Sequence, residues 1–302
     1  MSVSQAEILA SIAAHIGTAI GGALEPRPAA RVAGGCIDEC HRWRSDKGEL
    51  FVKVAPAQRQ VAHATEAAGL AELHAAGALR VPRVRAVGVT EHRSFLALEW
   101  LDLAAPGPGS GAVLGAGLAR QHRVTAPLFG WHTDNAIGGT PQINTRSGDW
   151  IAFFRDQRLG AQLALAAGNG YGGRLQRGGE RLRADLGQFF GACRPAPALL
   201  HGDLWGGNWA VEAGALRAPV IFDPAVYHGD RETDIAMTRL FGGFSRDFYA
   251  AYQAEWPLDA GAAARTSVYN LYHVLNHLNL FGGAYLSQAE SMIDGLIAEL
   301  AG

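Results

Sequence analysis

Leu199-Leu200-His201-Gly202-Asp203-Leu204-Trp205-Gly206-Gly207-Asn208 reads as a short apolar strand that runs into a polar loop, with Asn208 five residues after Asp203. Fifteen residues further, Val220-Ile221-Phe222-Asp223 is a second apolar strand ending in a second aspartate. These residue types at this spacing suit phosphoryl transfer. A loop aspartate, Asp203, can orient and deprotonate an attacking hydroxyl, while Asn208 and Asp223 can hold Mg²⁺ on nucleotide phosphates. A short loop places base and amide around one phosphoryl group. A hairpin of Asn208 to Glu212 and Leu216 to Phe222, turning at Ala213-Gly214-Ala215, returns the second aspartate to the same place. The plainer reading is an ordinary Gly-Asp turn. His-Gly-Asp with Asn at that offset should arise by chance in roughly one chain per thousand of this size, which favours chemistry.

Such a loop needs a phosphate-binding partner upstream. Arg31 to Val54 predicts three short strands, turning at Gly34-Gly35-Cys36 and at Asp46-Lys47-Gly48. Glycines let backbone N–H groups approach phosphate, although two glycines alone equally suit a plain hairpin. The third strand, Leu50-Phe51-Val52-Lys53-Val54, carries a lysine among apolar residues. In protein kinases a strand lysine binds the α- and β-phosphates and pairs with a glutamate on the next helix. Here that helix is predicted from about Gln58 to Ala76 and contains Glu66. Taken alone, Lys53 and Glu66 also suit an edge strand and a solvated face; their order before the catalytic loop favours the pair. Val81 to Val89 and Ser94 to Leu101 predict two more strands, and Ala104 to Gly111 a linker. Glu99, Trp100 and Leu101, just before it, form the expected hinge, where backbone groups would meet an adenine edge.

Leu114 to Val124 predicts a helix, and a long loop follows from Phe129 to Asp149. Its Trp131, Asn135, Gln142 and Asn144 suit a polyol through stacking and amide hydrogen bonds; a packed loop whose amides satisfy its own backbone suits them equally. Helices are predicted over Asp149 to Ala167 and Gly179 to Cys193 before the catalytic strand, and over Arg265 to Phe281 near the end. His273 and His277 in the last one have a zinc-like spacing but lack a third ligand, so core histidines are expected. At the start, Ser4 and Glu7 fit a capping box, and Ile8, Ile12, Ile16 and Ile20 mark one packed face of a helix to Ile20.

The 302 residues have a formal charge of −2, with 26 Lys and Arg against 28 Asp and Glu, so neither a nucleic-acid partner nor a membrane is expected. No apolar run reaches membrane-spanning length. Cys36, Cys40 and Cys193 form neither a disulfide framework nor a zinc spacing, and a reducing cytoplasm is the expected location.

These segments together resemble the fructosamine kinase, or ketosamine-3-kinase, family of the protein-kinase-like and aminoglycoside-phosphotransferase-like enzymes. The resemblance runs from near Gly34 to Tyr285 through Gly-Gly-Cys-Ile, Phe-Val-Lys-Val, Glu66 with Leu70, Phe129-Gly-Trp, Asp134-Asn135, Gln142, Asp149-Trp150, the catalytic loop, Asp223-Pro-Ala-Val-Tyr-His-Gly-Asp-Arg-Glu, and Leu275-Asn-His-Leu-Asn-Leu-Phe-Gly. Trp205, two residues after the base, and Asp223-Pro224-Ala225 in place of Asp-Phe-Gly mark this branch. The resemblance implies an α+β, two-lobed kinase-like fold: residues 1–101 as a small lobe with a five-stranded antiparallel sheet and one helix, residues 102–302 as a large helical lobe. It implies ATP and Mg²⁺, and phosphorylation of the 3-hydroxyl of ribulosamines, erythrulosamines or fructosamines, free or protein-bound, by a monomer or weak dimer. The product is unstable and releases the amine, which is deglycation. Asp203 is then the base; Gly34, Gly35, Cys36, Lys53, Glu66, Glu99, Trp100 and Leu101 serve ATP; Asn208 and Asp223 serve the metal; and Trp131, Asn135, Gln142 and Trp205 serve the substrate. Cys36 is also a redox candidate, or a small reduced cysteine under its loop. An aminoglycoside- or choline-type kinase and a non-catalytic pseudokinase binding module are the competing readings.

Overall fold

Helix α1 (Gln5–Ile20) begins where Ser4 and Glu7 satisfy each other's backbone: Glu7 N–H donates to Ser4 Oγ at 3.3 Å and Ser4 N–H to the Glu7 carboxylate at 2.8 Å. In this computed structural model, which describes residues 4–32, 38–214 and 217–301, the chain divides into two compact units. One is Met1–Pro106 with Ala210–Asp223, the other Gly107–Trp209 with Pro224–Gly302.

In the first unit, Ile12 and Ile16 of α1 are fully buried against a sheet, with Ile8 and Ile20 at the edges of the same contact. The sheet contains β1 (Ala30–Val32), β2 (Glu39–Ser45), β3 (Gly48–Pro56), β4 (Val84–Val89) and β5 (Arg93–Glu99) in the order β1-β2-β3-β5-β4, antiparallel throughout. Alternation sets its faces. Leu50, Val52 and Val54 of β3 meet Ile12, Ile16, Trp43 and Phe95, which turns Lys53 to the opposite side. Helix α2 (Gln60–Ala76) follows β3 after one 3₁₀ turn. Strand β6 (Leu103–Ala104) lies where the sequence predicts the start of a linker.

In the second unit, α3 (Ser110–His122) starts four residues before the predicted Leu114. The long loop contains a small hairpin, β7 (Asn135–Ile137) with β8 (Thr140–Gln142). The predicted helix after Asp149 is a continuous helical run of three parts: α4 (Trp150–Phe154), a wide π-type turn over Arg155–Gly160, and α5 (Ala161–Gly168). Helix α6 (Arg174–Asp185) starts five residues before the predicted Gly179. Gly179, the predicted start, lies inside the helix, where a Cβ would come within 2.6 Å of Leu163 Cδ1. Strand β9 (Ala198–Leu200) follows; the next strands, β10 (Trp209–Glu212) and β11 (Pro219–Ile221), belong to the first unit from Ala210 on and form a three-stranded sheet with β6 in the order β11-β10-β6. Strand β12 (Tyr227–Gly229) pairs antiparallel with β9. The rest is helical: α7 (Glu232–Leu240), α8 (Arg246–Glu255), α9 (Ala262–Phe281) and α10 (Leu286–Ala301).

Helix α9 is the core of this unit, buried from Val268 to Leu275 without a break. Its Arg265 is 2% exposed and meets both Glu232 carboxylate oxygens at 2.8 Å. Trp150 Nε1–H donates to the Tyr269 hydroxyl at 3.0 Å, which in turn donates to Asp230. His273 is buried, which pushes its imidazole down to about 3, and His277 Nδ1 contacts the His273 carbonyl at 2.8 Å. Among the described residues no group of three or more His, Cys, Asp or Glu is assembled as a metal centre, and no helix is long and apolar enough to cross a membrane.

Candidate active site

Strand β3 places Lys53 opposite Cys40 on one side and Leu96 on the other, in the middle of the five-stranded sheet. The ammonium is 2.7 Å from Glu66 Oε1 and 2.7 Å from Asp223 Oδ1. Burial alone would lower this lysine's pKa, but Asp223 and Glu66 outweigh it and hold the group charged, well above its ordinary value. Asp223 follows β11 with φ at 56°, a left-handed conformation that aspartate tolerates better than most residues. Its side chain is 48% exposed, so the carboxylate that closes this ion pair also faces outward. The Cys40 thiol beside the lysine is pushed up to about 11 by burial, which leaves it protonated and unreactive at neutral pH. Gly34, Gly35 and Cys36 lie outside the described residues.

At the end of β5, Glu99 N–H donates to Arg83 O at 2.9 Å and Trp100 N–H to Glu49 O at 3.2 Å. The Glu99 carboxylate takes Arg80 and the Arg83 N–H, both at 2.6 Å. The Trp100 indole donates to Asp102 at 2.9 Å beneath the Arg42 guanidinium, and Leu101 is half-buried. The Glu99 and Trp100 side chains thus serve the unit's own structure.

In the second unit, β9 ends at Leu200 and the loop expected to be catalytic turns at Gly202, whose φ is 84°. A Cβ at this glycine would lie 2.0 Å from Ala225 O, so no side chain fits. The Asn208 amide donates to Asp203 O at 2.8 Å and to its carboxylate at 3.3 Å, which orients the aspartate. The turn is held by a residue that sequence reading did not single out. Asp234, 1% exposed, accepts from His201 N–H at 2.7 Å and Gly202 N–H at 2.9 Å, and its Oδ2 lies 3.1 Å from His122 Nε2. Burial alone would raise its pKa; the His122 contact and the Gly202 N–H outweigh that and keep it below the usual carboxylate range. Tyr252 OH contacts the far nitrogen of His122 at 2.8 Å. The only sequence signal for Asp234 is an acid in the first turn of α7, common at any helix start.

Trp131 is 4% exposed, packed in tilted contact with His132. Gln142 is 1% exposed; its Nε2 donates to Asn135 Oδ1 at 2.8 Å and to Ala225 O at 3.2 Å, while its Oε1 accepts from Tyr272 OH. Asn135, half-buried, donates to Val226 O at 2.8 Å. These amides are engaged within the chain, the alternative that the loop's composition left open. Trp205 is different: 39% exposed, it meets Phe241 edge-on at 6.2 Å, and Phe241 packs on His277. Phe241 and His277 are thus brought to the loop's tryptophan from α7's end and α9.

Within the first unit the Lys53 ammonium has the charge to meet an anionic group, and within the second the Asp203 carboxylate can accept a proton. Comparison with known proteins agrees with that chemistry. A probable ketoamine kinase of Synechocystis sp. is 42% identical over 266 residues, 87% of this chain and 88% of its own. The chloroplastic protein-ribulosamine 3-kinase of Arabidopsis thaliana is 39% identical over 272 residues, 89% of this chain and 82% of its own. A crystal structure from Thermobifida fusca assigned as a fructosamine-3-kinase superposes with a TM-score of 0.84 at 31% identity, covering 96% of this chain and 99% of that one. More distant phosphotransferases share the kinase-like fold alone. The family described as fructosamine kinase matches residues 8–299, and the chain belongs to that family of phosphotransferases acting on hydroxyl groups.

Proposed function

We propose that this chain transfers the γ-phosphoryl group of ATP to the 3-hydroxyl of a ketosamine, a sugar–amine adduct, and so initiates release of the amine. The observation that carries the reading is Lys53, buried and charged between Glu66 and Asp223 at 2.7 Å from each, in a member of a ketosamine-acting family. A buried ammonium held by one carboxylate from α2 suits a phosphate-binding role. The names of the Synechocystis and Arabidopsis relatives support ketoamines, including protein-bound ribulosamine, as the acceptor class.

In this reading Asp203 accepts the proton of the sugar hydroxyl as its oxygen bonds to the γ-phosphorus and the bond to the β-phosphate oxygen breaks, leaving ADP. Asn208 orients Asp203 through the hydrogen bonds described above. The amide oxygen of Asn208 and the carboxylate of Asp223 are hard donors that fit Mg²⁺, which characteristically takes one or two protein oxygens and fills its shell with phosphates and water. When bound, it neutralises phosphate charge. The backbone of Glu99 to Leu101 would meet the adenine. Trp205 offers an aromatic face to the sugar or amine end, and Trp131, Asn135 and Gln142 serve the same substrate. The chain is a soluble cytoplasmic enzyme in this reading, a monomer or weak dimer.

The test is ADP release by the purified protein on ribulosamines, fructosamines, aminoglycosides and choline, with ³¹P NMR of the product. Transfer to a ketosamine 3-hydroxyl is expected; transfer only to aminoglycosides or choline, or to none, would overturn the reading. Trp205→Ala should raise the ketosamine KM while leaving the ATP KM nearly intact; equal damage to both would assign Trp205 to folding.

A further inference from the structure

Arg158 lies in the wide turn Arg155–Gly160 and is fully buried. Its neighbours Arg155 and Arg183 share Asp156, but Arg158 has no carboxylate partner among the described residues. Its guanidinium donates to the carbonyls of Ile143 and Gln157 and to Asn144 Oδ1, the last at 2.7 Å. The Tyr227 and Phe153 rings lie 4.0 and 4.6 Å from it. Burying a cation without an acid is costly, so this site calls for a compensating role.

That role is direction. A guanidinium has donors and no acceptor, whereas an amide has one of each and can point either way. Arg158 therefore obliges Asn144 to present its oxygen. The Asn144 nitrogen then donates to Thr133 O at 3.1 Å and Asn135 Oδ1 at 2.9 Å. With its oxygen so used, Asn135 turns its nitrogen to Val226 O, and Gln142 turns its own to Asn135 Oδ1 and Ala225 O. Ala225 is where the catalytic loop rests: its N–H donates to His201 O at 2.9 Å, and its carbonyl packs on Gly202.

We propose that Arg158 is a positioning residue that fixes the polarity of the Asn144–Asn135–Gln142 relay and thereby holds the Ala225–Val226 backbone against the His201–Gly202 turn. Its catalytic consequence rests on the phosphotransfer reading given above; its structural consequence does not. Arg158→Met should leave Asn144 Oδ1 without its donor and free the amides to flip, while Arg158→Lys keeps a donor-only cation. Asn144→Ala cuts the same relay one link later and serves if Arg158→Met fails to fold.

Hydrogen exchange of single amides and steady-state kinetics on a ribulosamine test this in the full chain. Arg158→Met and Asn144→Ala should speed exchange at the Ala225 and Gly202 amides by at least ~10-fold, with α10 amides unchanged and Arg158→Lys near wild type. In the same variants kcat should fall at least ~10-fold with the ATP KM within about twofold. Unchanged exchange at Ala225 in a folded variant, or faster exchange throughout the unit, would overturn the relay whatever the substrate. The expected exchange pattern with no phosphate transfer by wild type would uphold the relay and overturn the phosphotransfer reading alone.

Discussion

Replacing Asp234 by asparagine is the sharpest test of how the catalytic loop is held. The wild-type carboxylate takes two successive backbone N–H groups and lies beside His122, at 2.7, 2.9 and 3.1 Å, in a fully buried site. Asparagine keeps the shape but has one oxygen. With that oxygen toward His201 and His122, its NH₂ faces the Gly202 N–H, donor against donor, and one buried donor left without an acceptor costs about 1–3 kcal/mol. The other two contacts lose charge assistance, about 1 kcal/mol each. The sum, ~3–5 kcal/mol, should lower Tm by roughly 10 °C for a chain of this size. The pH dependence has a definite sign. Because the folded pKa of Asp234 is depressed, the unfolded chain takes up the proton first, so this stabilisation is present above about pH 4 and drains away below it. The Tm gap between wild type and Asp234→Asn should therefore be widest near neutrality and narrow as pH falls below about 4. Calorimetric melts of both proteins across that range, with kcat and nucleotide affinity at neutral pH, are the assay. Turnover should fall with the loop turn while nucleotide affinity holds. A gap of under about 2 °C at pH 7, or one that does not change with acid, would refute the bracing role.

Asp203→Asn should keep the fold and ATP binding and lose at least ~10²-fold in turnover, with near-normal turnover counting against it as the base. Glu66→Gln removes one carboxylate from a buried ion pair; a loss of roughly 3–5 kcal/mol in denaturant melts and a raised ATP KM are expected, and an unchanged ATP KM would separate the pair from nucleotide binding. Asp230 is pushed up to about 7, by burial first and then by Glu232. The folded state thus keeps a proton that the unfolded chain has released, so stability should fall as pH rises from about 4 to 7, and Asp230→Asn should flatten that slope in melts; an unaltered slope would exclude Asp230 as its source.

What the sequence revealed follows from what is local. The isoleucine period of α1, the Ser4–Glu7 cap, the alternation that turns Lys53 away from Val52 and Val54, and the antiparallel sheet are nearest-neighbour properties, and each is written in a few adjacent residues. The Lys53–Glu66 contact was also legible, because kinase-type order gives it a known partner. Contacts across long sequence distances were not. Asp234 and His122 are separated by more than a hundred residues, and nothing in either segment names the other. Arg158 carries no signal in its flanking residues, Gln157 and Leu159, that the wide turn buries it. The amides of Asn135 and Gln142 have equal chemistry for a sugar or for a carbonyl, so composition could not choose. The start of α6 was placed five residues late, at Gly179, because nothing in the sequence shows that this glycine permits close packing against Leu163 in mid-helix.

The first unit is not contiguous: it takes Ala210–Asp223 from beyond the catalytic loop. On the ribosome this becomes a matter of timing. When Pro106 has emerged, the five-stranded sheet and α2 can form, but β6 lacks β10, and Lys53 has only Glu66 for its charge. Another 117 residues (223 − 106) must be made before Asp223 arrives. At roughly 5–20 residues per second, that is about 6–23 s of a nascent chain with an incomplete unit. Slowed translation through the intervening stretch, or a truncation before residue 210, would lengthen exposure of an unpaired β6 edge rather than alter any finished contact, and yield of intact protein would register it before activity did.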